Sequence, residues 1–454
     1  MSCSLKEKIL ELDARIPRYT SYPTAPHFTT AKNSGFYTDW LEALPTGTDI
    51  SLYLHIPFCH QLCWYCGCHT KITRRYDPVE AYIQLLLQEI DTLSAHIGKD
   101  KIVRHIHFGG GSPGILSPRD FACLMEQIRE TFTIDKKAEI AIELDPRNVT
   151  EARVAAYAKA GVNRVSLGVQ DFASDTLAAI NRPQPFYLSY EAVTLLRSYG
   201  ISGVNLDLMY GLPFQTVESI KDTVAKAVLL KPDRIAFFGY AHVPWVKKHM
   251  RLIEDSTLPD KDLRYDLFQA GAAAFEKAGY RSIGIDHFAR ENDSLFKTVG
   301  TSHIHRNFQG YTTDPCSTLI GLGLSAISKL PQGYSQNSPD MSAYQKAISN
   351  QTPPAAKYRA ITPEDRLRGD VIERLMCHFC VDLPALCHAH GVNNNHFKEE
   401  IMALDAYQKL GFINIDEGVI TVKPEAKLMA RAVCAAFDTY LNIADTAPRH
   451  ARAI

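Results

Sequence analysis

The stretch FCHQLCWYCGCHT, residues 58–70, carries Cys59, Cys63, Cys66 and Cys68 together with His60 and His69. Thiolates this close together point to a metal. Cys59-x3-Cys63-x2-Cys66 directly follows a short apolar run, and Cys-x2-Cys is common iron–sulfur spacing. Three thiolates on one tight loop can reach three corners of a cubane cluster. One iron then stays open for a substrate or cofactor, as in other metal sites that keep a free position. Zinc is the main competitor, although structural zinc usually draws on two separated knuckles or on Cys2His2. Plain structural thiols are the third reading. A glycine run at 109–111, in GGGSP, ends the next apolar run. Its bare backbone could come close to a ligand, or it could be a tight turn.

The rest of the chain narrows the setting. Eleven cysteines without an apolar leader argue for reduced thiols in the cytoplasm, where a cysteine cluster signals metal rather than disulfides. The formal net charge of −1 gives no global field toward nucleic acid or a membrane surface. No apolar run approaches the ~18 residues of a membrane span. A second stretch, Cys377, Cys380, Cys387, His388, His390 and His396, also mixes Cys and His. Cys377 and Cys380 fall in an apolar helical pattern, where Cys acts as a small hydrophobe, so no second metal is expected.

The elements that must position the cysteine loop alternate strand and helix. Strands are expected at 50–56, 101–110, 138–146, 162–170, 201–213 and 232–244. Helices are expected at 78–97, 117–132, 149–161, 187–199, 216–230 and 260–278. Six such units imply a parallel sheet with crossover helices, best fitted by a partial (βα)6 TIM-type barrel. Polar and glycine residues gather at the C-terminal strand ends, where such barrels carry their sites. From about Pro331 the texture changes. PQGYSQNSPD and SNQTPPAAKYRAITPED read as linkers, and Thr362 opens a helix. Residues 393–411 read as a helix, 412–422 as a hairpin and 424–441 as a last helix. The expected division is an N-terminal segment at 1–35 packing near the active site, a barrel at 36–335 and a mostly helical, winged-helix-like domain at 336–454.

Cys-x3-Cys-x2-Cys after a first barrel strand resembles the radical S-adenosylmethionine superfamily. There methionine chelates the open iron, and one electron cleaves the sulfonium to a 5′-deoxyadenosyl radical. PRYTSYPTA (17–25), LHIPFCHQLCWYCGC (54–68), ELDP (143–146), GVQDF (168–172), NLDLMYGLP (205–213), HRNFQGYTT (305–313) and FDTY (437–440) are similar to the oxygen-independent coproporphyrinogen III oxidase family. These stretches cover nearly the whole chain in that family's order. Cys68 and PRYTSYPTA separate it from related heme chaperones. Ser112 stands where the family usually has Thr.

The resemblance implies a [4Fe–4S] cluster on Cys59, Cys63 and Cys66 and two molecules of S-adenosylmethionine. Tyr53, Gly110, Glu143 and Ile327 match positions at the first molecule. Tyr65, Gly111, Ser112, Gln170, Arg182, Asp207 and Ala241 match positions at the second. The family assigns Cys68 no settled role; as the thiol left over it is the catalytic candidate, working on the substrate or second-cofactor side or guarding the pocket. The implied reaction turns two propionates of coproporphyrinogen III into vinyls, giving protoporphyrinogen IX in a cytoplasmic monomer served by a flavodoxin or ferredoxin system. Arg18, Lys71, Arg74, Arg75, Arg290 and Arg306 are candidates for the propionates. A heme-binding chaperone, or a heme-modifying radical enzyme on the same fold, is the alternative. No nucleic-acid or membrane partner is expected.

Overall fold

The computed structural model describes residues 4–441. Seven parallel strands form its centre, numbered in chain order. They are β1 (Asp49–Ile56), β2 (Ile102–Gly110), β3 (Thr133–Leu144), β4 (Arg164–Gln170), β5 (Gly203–Tyr210), β6 (Arg234–Gly239) and β7 (Thr318–Leu322). The first six are each followed by a principal helix: α1 (Asp77–Ile97), α2 (Pro118–Thr131), α3 (Glu151–Lys159), α4 (Phe186–Ser198), α5 (Val217–Leu229) and α6 (Lys261–Lys277). The spatial order β7-β1-β2-β3-β4-β5-β6 leaves the barrel open. Six βα units match the sequence expectation. The seventh parallel strand does not, because it returns to the β1 edge only after a long excursion.

Local chemistry explains the helices. Val79, Ile83, Leu86, Ile90, Leu93 and Ile97 recur at helical spacing on α1 and are all buried. Pro78 suits its first turn, and Gly98, at φ 80°, ends it. Ser117, Thr216 and Asp260 cap α2, α5 and α6 with their side-chain oxygens.

The outward faces of the strands bury Leu52, Leu54, Ile106, Phe108, Ile142, Val165, Leu167, Leu206, Leu208, Ile235 and Phe237 in the main core. The alternate positions carry polar groups that pair with one another. His105 Nε2 and Glu139 Oε1 are 3.1 Å apart, and Arg164 donates to Glu139 at 2.8 Å. Arg164 and Arg234 share Asp293 at 3.1 and 2.8 Å. The barrel lumen is therefore an ion-paired layer.

Two corrections concern segments that read as linkers. Gly333–Asn337 and Ala355–Ala360 are antiparallel strands of the same sheet. The first straddles the division expected at 335/336, and hydrogen bonding carries the sheet to Ala360. Its polar Asn337 misled because it serves a buried acceptor, Glu89. Asn337 Nδ2 and Gly323 N–H each donate to Glu89 at 2.7 Å, and the Tyr344 hydroxyl donates at 2.6 Å.

In the C-terminal region the helix Pro363–His378 stops at Phe379, which is left-handed at φ 58°. Cys380 therefore starts a strand, Cys380–Asp382, that joins the expected hairpin. The helix expected over 393–411 breaks at Leu404 into Lys398–Ala403 and Asp405–Lys409. The last one is a 3-10 turn, Pro424–Met429, and a short helix, Ala430–Ala435. Ile9, Leu10, Ile16, Tyr19 and Tyr22 of the N-terminal segment share one core with this region, against Leu375, Phe397, Phe412 and Phe437. None of the helices described is long and apolar enough to cross a membrane.

Glu89→Leu is expected to leave three buried donors without an acceptor and to lower stability by about 3 kcal/mol or more. Glu89→Gln keeps one carbonyl and should lose less. Urea midpoints of the two variants check this.

Candidate active site

The cysteine loop is a ring tied at both ends. Beyond β1 the two-residue strand Phe58–Cys59 pairs with Lys71–Ile72. Two other segments, at Asn181 and at 247–249, hold its middle. Asn181 Nδ2 donates to the Leu62 carbonyl at 2.8 Å, His249 Nε2 meets the Cys66 carbonyl at 2.8 Å, and Lys247 Nζ donates to the Cys68 carbonyl at 2.9 Å. Trp64 and Tyr65 pack on Leu177, Ile180, Leu212, Tyr240 and Met250.

The thiols differ in surroundings. Cys63 is buried, Cys59 and Cys66 are half-buried and Cys68 is exposed. Cys63 Sγ accepts from Arg182 at 3.4 Å and from Arg147 at 3.8 Å, and Asp145 pairs with both guanidiniums at 3.3 and 2.6 Å. Burial pushes the Cys59 thiol up to about 12, with Cys66 and Cys63 adding. The Cys68 hydrogen bond draws Cys66 down to about 6, and the same bond raises Cys68.

This donor set suits an iron–sulfur cluster. Among the described residues no three His, Cys, Asp or Glu side chains close on a single ion-sized point, whereas a cubane spreads its thiolates over separate irons. The flanking guanidiniums complement the negative charge that thiolate ligands bring. Ser112 Oγ and Arg182 Nε are buried without partners, as befits a mouth that receives a polar ligand.

Most of the expected site residues gather at the C-terminal ends of the strands. Tyr53 stacks on His107 with centroids 5.9 Å apart, and its hydroxyl lies 3.0 Å from His55 Nδ1. His107 Nε2 is 2.9 Å from Glu143 Oε1, and Gly110 N–H donates to Oε2 at 3.3 Å. Burial pushes Glu143 upward, but His107 and the Gly110 amide outweigh it and hold the carboxyl below its ordinary value. Arg182 also donates to the Gly168 carbonyl. Gln170 is buried with φ 72°, at a register shift between β4 and β5. A non-glycine residue held there stores strain of the kind found at functional sites. Asp207 accepts from Ser166 and Asn205, both at 2.8 Å, and burial raises its pKa to about 6. Ala241 follows β6. Ile327 lies at the other edge, its backbone against Gly321, which pairs with Tyr53.

The glycine run needs a refined account. A Cβ on Gly109 would meet Glu143 at 2.8 Å, one on Gly110 the His55 ring at 2.6 Å, and one on Gly111 the Phe58 carbonyl at 2.7 Å. These glycines make room for the barrel's own polar groups and for the entry of the cysteine ring. Only their backbone edges remain for a ligand.

Sequence reasoning missed His55, His107, Asp145 and Arg147. Asp145 stands inside the quoted ELDP, two residues from Glu143, so its signal was present. The histidines alternate with apolar residues on β1 and β2, and that period alone placed them in the lumen.

The comparisons with known proteins agree with this geometry. The model of the Radical SAM superfamily matches residues 53–227. The oxygen-independent coproporphyrinogen III oxidase of Bradyrhizobium diazoefficiens is 47% identical over 430 residues, 95% of this chain and 96% of that protein. The enzyme of the same name from Salmonella typhimurium is 37% identical, over 94% and 93%. The structure of coproporphyrinogen III oxidase (HemN) from Escherichia coli, described as a radical SAM enzyme, superposes with a TM-score of 0.90. It is 35% identical and covers 94% of this chain and 100% of that one. The barrel and its cysteine ring are thus of the radical SAM class. Within it, this chain belongs to the oxygen-independent coproporphyrinogen III oxidase family. The superfamily brings with it a [4Fe–4S] cluster and S-adenosylmethionine.

Asp207 yields a pH prediction. Its pKa rises from 3.8 to about 6 on folding. Below 3.8 both states hold the proton. Between the two values the unfolded chain ionises first, so stability is lost as pH rises toward 6. The loss is about 3 kcal/mol at 1.36 kcal/mol per pH unit. Asp207→Asn should remove this slope, seen as a melting-midpoint difference from the parent protein that changes between pH 4.5 and 7.

Proposed function

We propose that this chain is an oxygen-independent coproporphyrinogen III dehydrogenase of anaerobic heme biosynthesis. It converts coproporphyrinogen III to protoporphyrinogen IX. The observation that carries this reading is the extent of the likeness. It runs over 95% of the chain with a relative named oxygen-independent coproporphyrinogen III oxidase, far beyond the 53–227 barrel region. Each of two propionates loses a hydrogen atom from the carbon next to the ring, then one electron to an external one-electron acceptor and carbon dioxide, which leaves a vinyl. When bound, the cluster and S-adenosylmethionine supply the one-electron chemistry for that hydrogen removal.

The chain's residues hold and orient. Cys59, Cys63 and Cys66 ligate the cluster, with Arg182 and Arg147 beside Cys63. Tyr53, Gly110, Glu143 and Ile327 line one S-adenosylmethionine. Tyr65, Gly111, Ser112, Gln170, Arg182, Asp207 and Ala241 line a second. Glu143 and Asp207 can accept from ribose hydroxyls, and Tyr65 offers an adenine a ring to pack on. Cys68 acts on the substrate or second-cofactor side, since a fourth thiolate on the open iron would displace the cofactor. The protein works as a cytoplasmic monomer that takes electrons from a flavodoxin or ferredoxin system.

Anaerobic incubation with coproporphyrinogen III and product analysis tests the reading; no protoporphyrinogen would refute it. Cys59→Ser is expected to abolish the cluster's visible absorbance and bound iron. A full [4Fe–4S] spectrum in that variant would overturn the ligand assignment.

Cys68→Ser should bind normal iron and release 5′-deoxyadenosine, yet form at least tenfold less protoporphyrinogen. Iron content, 5′-deoxyadenosine and porphyrin are read on one anaerobic sample. Lost iron would make Cys68 a ligand, and full porphyrin output would make it a bystander.

A further inference from the structure

A cavity of about 330 Å³ opens beyond the ends of β5 and β6, walled also by the N-terminal segment and the C-terminal region. Among the described residues its lining includes five arginines, Arg15, Arg18, Arg264, Arg306 and Arg431, and one carboxylate, Asp286. Of the six basic residues marked in the sequence, Arg18 and Arg306 are here. Lys71, Arg74 and Arg75 are exposed where the cysteine ring returns. Arg290 donates its amide to the carbonyl of Asp233, at the opposite end of β6.

Each arginine is placed by the fold. Arg306 has 5% of its side chain exposed, and its Nη1 is buried without a partner. Its guanidinium lies over the Tyr311 ring at 4.5 Å and 3.6 Å from Asp286. Arg264 reaches the cavity past two glycines. A Cβ on Gly211 would meet Arg264 Nη1 at 2.1 Å, and one on Gly239 would meet Nη2 at 3.4 Å. Gly211 has φ 84°, so its glycine serves both backbone and guanidinium. Arg18 Nη2 donates to the Gly239 carbonyl at 3.3 Å, and Arg15 lies over Trp245 at 4.7 Å. Arg431 donates to the carbonyls of Ile16 and Pro17. It thereby anchors the segment that carries Arg15 and Arg18.

We propose that this cavity is the carboxylate subsite for the substrate, where the arginines receive propionate groups of the tetrapyrrole. The proposal rests on the functional reading above. Among the described residues Asp286 alone cannot answer Arg15, Arg18 and Arg306 together, whereas a substrate with several carboxylates can. The planar guanidinium fork matches carboxylate geometry, and partial burial strengthens each pair. The surplus charge is already felt inside the protein. Burial, then Arg18 and Arg306, lowers Arg431 to about 10. Despite burial, Arg306, His287 and Arg18 hold Asp286 below the usual carboxylate range. The volume is at the small end of ligand pockets, which run from ~300 Å³ upward, and so suits a carboxylate-bearing edge of a large ligand. The cavity and the cysteine ring share a wall. Trp245 lines the cavity, while Lys247 and His249 of the same loop hold the Cys68 and Cys66 carbonyls.

The test uses the reconstituted protein without oxygen, with coproporphyrin III, the stable oxidised porphyrin, as the binding probe. Arg264→Gln and Arg306→Gln should each raise its Kd at least tenfold and leave the Kd of S-adenosylmethionine unchanged. The tetramethyl ester of coproporphyrin III should bind the parent protein and both variants equally weakly. In turnover the KM for coproporphyrinogen III should rise far more than kcat falls. Arg15→Gln, on an exposed residue whose loss opens no buried contact, should raise the Kd threefold or more even if Arg306→Gln misfolds. An unchanged Kd for coproporphyrin III in folded variants overturns the subsite. A raised Kd for S-adenosylmethionine instead assigns the arginines to the methionine carboxylate and also overturns it. Failure of the functional reading looks different: the parent protein would bind the porphyrin and yield no protoporphyrinogen.

Discussion

The structure depends on charge pairing inside an open barrel. Its lumen holds His105, Glu139, Arg164, Arg234 and Asp293 in contacts of 2.8–3.1 Å. Such groups are costly to bury unless each finds a partner. The partners come from different strands and, for Asp293, from the turn before a short helix, so the network is satisfied in one register only. A slip of one residue in β3 would carry Glu139 to the helix side and strand Arg164. The lumen therefore fixes register, and register fixes the mouth. Further along the same faces, His107 on β2 and Glu143 on β3 stand nearer the mouth, beside Asp207 of β5.

From that layer upward the site assembles by consequence. Glu143 is held by His107 and by the amide of Gly110, which ties the glycine run to the lumen. The next amides continue the link, Gly111 to the Ile56 carbonyl and Ser112 to the Phe58 carbonyl, at 2.9 and 2.8 Å. The base of the cysteine ring is thus set by the same strands. Asp145 then positions Arg147 and Arg182 at Cys63. A cluster bound by three thiols is sensitive to the direction of each, and here the ring is braced from β2, from the segment after β3 and from the 240–250 loop.

Much of this was legible in the sequence, for identifiable reasons. Helical period and caps located all six principal helices, because α1 and its successors bury one apolar stripe each. The cysteine spacing and glycine run needed no tertiary information. The Gly333–Asn337 and Ala355–Ala360 strands escaped because their polar side chains look solvated, when Asn337 in fact serves a buried carboxylate. Cys380 escaped because a helix stop at Phe379 needs a left-handed residue, and phenylalanine gives no warning of one. The arginine cavity was half visible. Arg18 and Arg306 lie in motif segments, but Arg264 sits on an ordinary helix and Arg431 in an apolar tail. Only the fold brings them together.

The arginine cavity also separates two tasks. The groups proposed to hold the cluster and cofactors stand almost entirely on the barrel. Of the cavity's five arginines, Arg15 and Arg18 come from the N-terminal segment and Arg431 from the C-terminal region, which share one apolar core. Arg264 and Arg306 lie on α6 and a later hairpin. A barrel stripped of the N-terminal segment and the C-terminal region would keep its cysteine ring and lose three of the five arginines. The buried salt bridges of the lumen cannot be rebuilt for each new substrate, because they set the register. Charge added from outside the barrel can be varied without disturbing it, and Arg15, Arg18 and Arg431 place three of the cavity's five arginines there.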